Sequence, residues 1–246
     1  MTKKIKAFVV VGGTGGHVLP GCNLANHLIE KNYNVRLISD ERGLTYIKKY
    51  KNFNVSLLPS SPYINRNLFT KIFSFITILY SVFRSLIFLI LNRPTIVFGM
   101  GGYASFPVCI AASILKIKFI IYENNLIIGK ANKYLLPFAN KVFVSYKELS
   151  GIKKKYFHKI FVIGNIIDKN IINFSKKYTE KKNSNKINIL ILGGSQAAKI
   201  FADKLPRIFL NCSELGISLK IYQHCLPSQN ENLKLFYEKT NIDYET

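Results

Sequence analysis

Val9-Val10-Val11-Gly12-Gly13-Thr14-Gly15-Gly16-His17-Val18-Leu19-Pro20-Gly21 is the stretch that decides how this chain folds. An apolar run from Ile5 to Val11 enters it, and a helix-like run from Leu24 to Glu30 leaves it. Strand, glycine-rich turn and helix, in that order, present free backbone N–H groups to an anion. Glycine suits such a turn because, lacking Cβ, it takes positive φ and lets a ligand come close. Thr14 adds a hydroxyl, and His17 is the only titratable side chain of the turn. Two better-known phosphate loops are excluded by spacing. Counting G-x-G from Gly13 and Gly15, the sixth position is Val18 rather than glycine, and no Gly-Lys-Ser/Thr follows. The same residues also read as a tight strand-to-helix turn that binds nothing.

Outward from this turn, strand-like and helix-like runs alternate. The β-branched and apolar runs Ile5–Val11, Asn34–Ser39, Asn54–Leu58, Thr95–Phe98, Phe119–Tyr122, Lys141–Val144 and Ile160–Ile163 read as buried strands. Between them Gly21–Lys31, Gly43–Tyr50, Leu68–Leu91, Phe106–Leu115, Gly129–Phe138 and Tyr146–Tyr156 read as helices. Such alternation predicts an α/β fold with a parallel sheet covered on both faces. Asp168 to Lys186, rich in Lys, Asn, Ser and Tyr, reads as a solvated linker. A second strand–glycine–helix unit then opens at Ile187–Ala198, followed by a helix to about Leu215, a strand at Ser218–Tyr222 and a helix at Gln229–Lys239. The expected organisation is a domain over residues 1–165, a linker over 166–186 and a partial domain over 187–246. The second domain has room for two strands, with a third due to begin where the sequence stops.

Leu68 to Leu91 approaches the length of a membrane span. Arg84 lies inside it, Ser74, Thr77, Ser81 and Ser85 interrupt its apolar surface, and Arg93-Pro94 and another strand follow at once. It therefore reads as a crossover helix rather than a span. A crossover helix buries one face, and this one is apolar nearly all round, so its surplus face is expected to dip into an anionic membrane surface.

The net charge of +22 comes mostly from lysine, and 48% of residues are apolar, enough for a core. The charge favours an anionic partner such as acidic lipid or a phosphate-bearing substrate. No nucleic-acid partner is expected, because zinc spacing, an RNP-like aromatic pattern and a helix-turn-helix are all missing from the sequence. Cys22, Cys109, Cys212 and Cys225 form no C-x-x-C pair and no metal-ligand spacing with histidine, which predicts reduced thiols and no metal site. Met1 to Lys4 leads directly into the first strand, so no secretory leader is expected.

Two further glycine loops follow strands: Gly99-Met100-Gly101-Gly102-Tyr103-Ala104-Ser105-Phe106-Pro107, and Gly193-Gly194-Ser195-Gln196. Three such loops at strand ends would face the crevice where α/β proteins bind ligands, and would suit a diphosphate. A nicotinamide-dependent oxidoreductase, with Asp40 on a ribose, is the competing reading, and its glycine spacing is not met.

Together with Tyr122-Glu123-Asn124-Asn125, Gly129 to Lys133, Gly164-Asn165 and Gly193 to Ala198, these loops resemble, in order and spacing, the motifs of the MurG family in glycosyltransferase family 28. The resemblance implies a GT-B fold, two Rossmann-like parallel-sheet domains facing a cleft, of which the second is incomplete in this sequence. It implies inverting transfer of N-acetylglucosamine from UDP-N-acetylglucosamine to lipid I, giving lipid II for peptidoglycan. No cofactor and no catalytic metal are implied. The expected seat is peripheral, on the cytoplasmic face of the bacterial inner membrane, with other cell-wall synthesis proteins as possible partners. Carried over by position, Thr14, Gly15, Gly16, Asn125, Gly194, Ser195 and Gln196 match donor contacts. Gly101, Gly102 and Tyr103 match the loop assigned to the acceptor diphosphate. His17 is the candidate general base, an imidazole being suited to proton transfer near neutrality; it also reads as a phosphate-binding or turn-shaping residue. Glu123 is the second catalytic candidate, either orienting His17 or replacing it, or else a buried strand-end carboxylate. Where the family has Pro-x-Arg after Gly-Asn, this chain has Ile166, Ile167 and Asp168, an anion in place of a donor-binding cation. Ala197 replaces a family glycine, and the family's main uracil- and sugar-binding stretch has no counterpart before Thr246. The resemblance therefore leaves open a catalytically inactive remnant that binds membrane or diphosphate lipid, or one half of a split enzyme.

Overall fold

The computed structural model describes residues 4–50, 53–60, 68–177, 186–193 and 195–246. They fall into two units, Met1–Tyr178 and Thr179–Thr246.

In the first unit β1 (Lys6–Val10), β2 (Asn34–Ser39), β3 (Val55–Leu57), β4 (Ile96–Gly99), β5 (Lys118–Glu123), β6 (Lys141–Val144) and β7 (Ile160–Val162) form one sheet. Its order is β3-β2-β1-β4-β5-β6-β7, with every pair parallel. Side chains alternate across it. Ala7, Val9 and Val11 pack with Val18, Cys22, Ala25 and Leu28 of α1 (Gly15–Glu30) and Ile47 of α2 (Glu41–Ile47). Phe8, Val10, Val97, Phe119 and Ile121 pack on the opposite face. Their partners there are Leu89 of α3 (Leu68–Asn92), Val108 and Ala112 of α4 (Gly102–Ile114) and Leu135 of α5 (Lys130–Leu135). Burial on both faces is why β1 reads as an unbroken apolar run rather than an alternating one.

Both helices that follow glycine turns start earlier than their apolar patterns suggest. The first begins at Gly15 rather than Gly21, and α4 at Gly102 rather than Phe106. The first turn of each helix carries the glycines, while Pro20 and Pro107, each at the sixth helical position, leave the carbonyl four residues earlier without its helical donor. The expected helix over Tyr146–Tyr156 does not form; only a 3-10 segment, Lys154–Lys159, is helical. Gly151 takes φ of +84°, and Ser150 is tied to the β5–α5 connection by Ser150 N to Leu126 O and Ile128 N to Ser150 O. These bonds replace the helical ones. Within the expected linker, α6 (Lys169–Lys177) is helical, so structure continues past residue 165. Asp168 initiates it, its carboxylate accepting the Asn170 N–H at 2.7 Å.

The crossover helix α3 has an inverted amphipathicity. Its inner face carries Ser74, Ser81 and Ser85, all buried, beside Leu89. Ser81 and Ser85 satisfy their hydroxyls within the helix, donating to Thr77 O at 2.8 Å and Ser81 O at 2.7 Å. Small satisfied side chains let α3 lie close on α4. The outer face exposes Ile72, Phe73, Phe75, Ile76, Leu79, Tyr80, Phe83, Ile87 and Ile90. By length and composition Thr70–Asn92 is apolar enough to cross a membrane. Its end is nevertheless fastened to the sheet, with Arg36 Nη1 donating to Asn92 Oδ1 at 3.0 Å and Phe8 against Phe88 at 5.7 Å.

The second unit holds β8 (Ile187–Ile191), α7 (Ser195–Glu214), β9 (Leu219–Gln223), α8 (Asn230–Tyr237) and β10 (Asp243–Glu245). The sheet order is β10-β9-β8, all parallel, so three strands form where room for two was expected. Ile221, Leu233 and Tyr237 centre its core. All four cysteines are free, and burial pushes the Cys22 thiol up to about 12.

Gly21 shows how tightly α1 sits on the sheet. A Cβ there would lie 2.1 Å from Val11 Cγ1 and 3.0 Å from Met100 Cγ. Alanine would gain about 1 kcal/mol of helix propensity, but overpacking against a rigid strand end costs about 1–3 kcal/mol. Gly21→Ala is expected to lower the urea midpoint at unchanged slope; a raised midpoint would show that α1 has room to move.

Candidate functional site

The sheet order reverses between β1 and β4. Chain order runs outward from β1 to β2 and β3, then returns to β4 on the other side. The helices after β1 and β4 leave toward opposite faces, opening a crevice at the carboxyl ends of these strands. The two glycine turns of the first unit lie there.

The turns approach closely because side chains are missing. A Cβ on Gly12 would be 2.4 Å from Ala104 Cβ and 2.9 Å from Asp40 Oδ1. Gly13, Gly101 and Gly102 have φ of +77°, +88° and +71°, a region costly for residues with a Cβ. Thr14 N-caps α1 without using its side chain, so its hydroxyl is uncommitted beside the open N–H groups of Gly15 and Gly16. Gly101 caps α4, whose first turn carries Gly102 and the exposed Tyr103. Two helix N-termini thus open onto one crevice, each with the partial positive charge of a helix start.

His17, in the first turn of α1, bridges the turns. Its ring lies along Gly101 and Gly102: a Cβ on Gly101 would be 3.0 Å from its Cε1 and Nδ1, and one on Gly102 would be 3.2 Å from its Cδ2. Any side chain at either glycine would displace the imidazole.

Asp40 holds the first turn. Its Oδ1 accepts Gly13 N–H at 3.1 Å and Gly43 N–H at 2.9 Å; its Oδ2 accepts Arg42 Nη2 at 2.7 Å and Ser60 Oγ at 2.9 Å. Burial alone would raise its pKa, but the hydrogen bonds from Gly13, Arg42, Gly43 and Ser60 outweigh that and hold the carboxyl below the usual carboxylate range. The carboxylate is committed to the turn, which removes the ribose-binding role of the nicotinamide reading.

Glu123, at the end of β5, is 1% exposed. Its Oε1 accepts Asn125 N–H at 3.1 Å and Asn125 Nδ2 at 2.7 Å; its Oε2 accepts Gly129 N–H at 2.8 Å and Asn132 Nδ2 at 3.0 Å. A carboxylate has about four acceptor positions, and all are filled, so its chemistry is to shape the β5–α5 connection. Asn125 is correspondingly turned onto Glu123 through its amide nitrogen while the residue stays exposed.

The sequence reading missed Asn124 and Asn132. Pro20 has no N–H, so the Gly16 carbonyl four residues earlier has no helical donor. Asn124 Nδ2 donates to that oxygen at 2.9 Å and ties the β5–α5 connection to α1. The signal was a proline placed four residues after a glycine of the turn. Asp168, expected opposite a diphosphate, instead starts α6, and Ile166 packs into the α1-side core.

The structure brings Thr14, Gly15, Gly16, His17, Gly101, Gly102, Tyr103, Glu123 and Asn125 to one edge of the first sheet. The third loop belongs to the second unit. Gly194 lies outside the described residues, and Ser195 and Gln196 open α7 with side chains that also lie outside them. His224 Nδ1 is 3.1 Å from Gly193 O beside this loop. A cavity of about 840 Å³ lies elsewhere, between α1 and Ile163–Asn173, over Phe98, Ile120, Tyr122 and Phe143. Among the described residues no cluster of His, Cys, Asp and Glu could hold a metal ion.

The profile of the glycosyltransferase family 28 N-terminal domain matches residues 7–144. Two relatives carry the name UDP-N-acetylglucosamine--N-acetylmuramyl-(pentapeptide) pyrophosphoryl-undecaprenol N-acetylglucosamine transferase. That of Pelagibacter ubique is 35% identical over 245 residues, covering 100% of this chain and 66% of the relative. That of Rickettsia felis is 33% identical, covering 98% and 67%. This chain thus spans about two thirds of the length of these relatives. Among solved structures, Acinetobacter baumannii MurG superposes with a TM-score of 0.73 at 23% identity, over 99% of this chain and 67% of that one. Staphylococcus aureus MnaA with UDP superposes with 0.55 at 14%, over 98% and 70%. These likenesses show a GT-B type fold.

Asp40 makes a pH signature. With its folded pKa depressed, its stabilisation is fully present above about pH 4, the unfolded value, and is lost as pH falls through the folded value. Asp40→Asn is expected to be less stable than the parent by about 1–3 kcal/mol at pH 7, with the gap closing below pH 4 in urea titrations. A gap that stays constant down to pH 2.5 would show that the charge of Asp40 is irrelevant.

Proposed function

This chain belongs to glycosyltransferase family 28, and from that premise we propose that it transfers N-acetylglucosamine from UDP-N-acetylglucosamine to lipid I, forming lipid II. The observation that carries the reading is the meeting of two glycine-started helices at the switch point with His17 laid between them. The N–H groups of Gly15, Gly16, Gly102 and Tyr103 are the donors for a diphosphate, and the helix starts supply the field. In the proposed step an acceptor hydroxyl attacks the anomeric carbon of the donor sugar from the face opposite UDP. A C–O bond forms, the bond to the UDP oxygen breaks with its electron pair leaving on UDP, and His17 takes the hydroxyl proton. Glu123 acts on this step only through the residues it positions. The donor is assigned to the turn before α7, with Gly194, Ser195 and Gln196 as its contacts.

The seat of the enzyme in this reading is a peripheral one on an anionic membrane surface. Its support is the outer face of α3, where aromatic and branched side chains stand exposed beside Lys71, Arg84 and Arg93. Apolar insertion and attraction of +22 net charge to acidic headgroups act together there. Because α3 follows β3, its N-terminal half lies toward the same edge of the sheet as the glycine turns.

Transfer is tested with labelled UDP-N-acetylglucosamine and a short-chain lipid I analogue. Labelled lipid II product is expected, reduced about 100-fold or more in His17→Ala. No product from a folded chain that still binds the analogue would replace the transferase reading by a diphosphate-lipid-binding one. Membrane seating is tested by sedimentation with vesicles. Binding to phosphatidylglycerol vesicles, weakening as salt rises, is expected to fall more than tenfold in Phe73→Ser/Phe75→Ser/Phe83→Ser, since each phenyl contributes about 1.5–3 kcal/mol when buried. Unchanged sedimentation of the triple variant would remove α3 from the interface.

A further inference from the structure

Two buried polar atoms at the crevice have no hydrogen-bond partner: His17 Nδ1 and Asn132 Oδ1. Both side chains lie against Gly101, where a Cβ would be 3.0 Å from His17 Nδ1 and 3.6 Å from Asn132 Nδ2. Asn132, on α5, is 2% exposed. Its amide nitrogen donates to Tyr122 O at 2.9 Å and Glu123 Oε2 at 3.0 Å. Both partners are acceptors, so the orientation of the amide is fixed and the free atom is an acceptor. A buried acceptor calls for a donor, and a protonated His17 Nδ1, against the same glycine, would supply one.

We propose that Asn132 is a positioning residue that holds His17 in the Nδ1–H tautomer. Since neither atom has a partner where the two side chains stand, one water joins them, accepting from Nδ1–H and donating to Oδ1. The neutral ring then keeps its lone pair on Nε2, the nitrogen next to Gly102, where a Cβ would be 3.7 Å away. Glu123 fixes Asn132, and Asn132 fixes the imidazole: a base oriented by a second group that is oriented by a third. The inference rests on the reading of His17 as general base and names what sets its proton. When the acceptor hydroxyl gives its proton to Nε2, the ring becomes an imidazolium whose Nδ1–H is already matched to an acceptor. The Glu123 carboxylate lies one side chain beyond. It also gives Glu123 a part in the chemistry although its own oxygens are filled. Gly101 is required because only a residue without a side chain leaves His17 and Asn132 on a shared surface.

Nitrogen-15 NMR of the full chain tests this without substrate. The chain has four histidines, and His17→Gln assigns the relevant signals. At a pH where the ring is neutral, His17 is expected to show a protonated Nδ1 and a lone pair on Nε2. Asn132→Ala is expected to move the tautomer ratio about tenfold toward Nε2–H. A parent protein with His17 as Nε2–H overturns the proposal with no variant needed, and a folded Asn132→Ala with an unmoved ratio reduces Asn132 to a structural role and also overturns it. The transfer assay separates this from the broader reading. An Nδ1–H His17 that responds to Asn132→Ala in a protein that makes no product would sustain the tautomer and end the transferase reading; an Nε2–H His17 in an active protein would do the reverse.

Discussion

A methyl group on Gly12 would stand 2.4 Å from Ala104 and 2.9 Å from an Asp40 oxygen. The candidate site depends on that refusal of a side chain. Strands β1 and β4 are neighbours in parallel register, Val10 opposite Gly99, so the turns that follow them compete for the same space. The missing side chains at Gly12, Gly101 and Gly102, with the positive φ at Gly13, let both helices begin immediately and side by side. Two helix dipoles then point into one crevice instead of being separated by ordinary turns.

Two buried carboxylates hold this arrangement. Asp40 gathers the first turn, α2 and Ser60 on one side of the crevice, and Glu123 gathers the β5–α5 connection on the other. Each charge is removed from water, and each is compensated by backbone and side-chain donors that it also orders. Between them, Asn124 takes the carbonyl that Pro20 sets free and joins the second scaffold to α1. The residues nearest the crevice are thus of two kinds. Thr14, the N–H groups of the helix starts and His17 remain available, while the acids behind them are spent on position.

The helix α3 shows an unusual division of polarity. Its buried Ser81 and Ser85 are satisfied by its own carbonyls, and most of its bulky apolar side chains point outward. Within a soluble environment that arrangement leaves hydrocarbon in water. The inner face packs on α4 through small side chains, which needs closeness rather than bulk, and the bulky apolar side chains are left on the outer face.

The sequence by itself determined the parallel α/β architecture, because runs of β-branched residues alternating with helical periods can bury both faces of a sheet in few other ways. It also determined where the glycine turns would lie, since glycine clusters follow the buried strands directly, and it marked α3 as too apolar for a plain crossover. Only the tertiary structure decided which polar side chains are committed to internal hydrogen bonds and which are left without them. Asp40 and Glu123 look alike as strand-end acids, and their hydrogen-bond partners come from residues up to 27 positions away, a relation that composition and spacing do not encode. The helix expected over Tyr146–Tyr156 failed for the same reason, its backbone bonds being taken by the β5–α5 connection. The meeting of His17 and Asn132 at Gly101 is likewise a product of strand order, which brings residues 17, 101 and 132 together at one sheet edge.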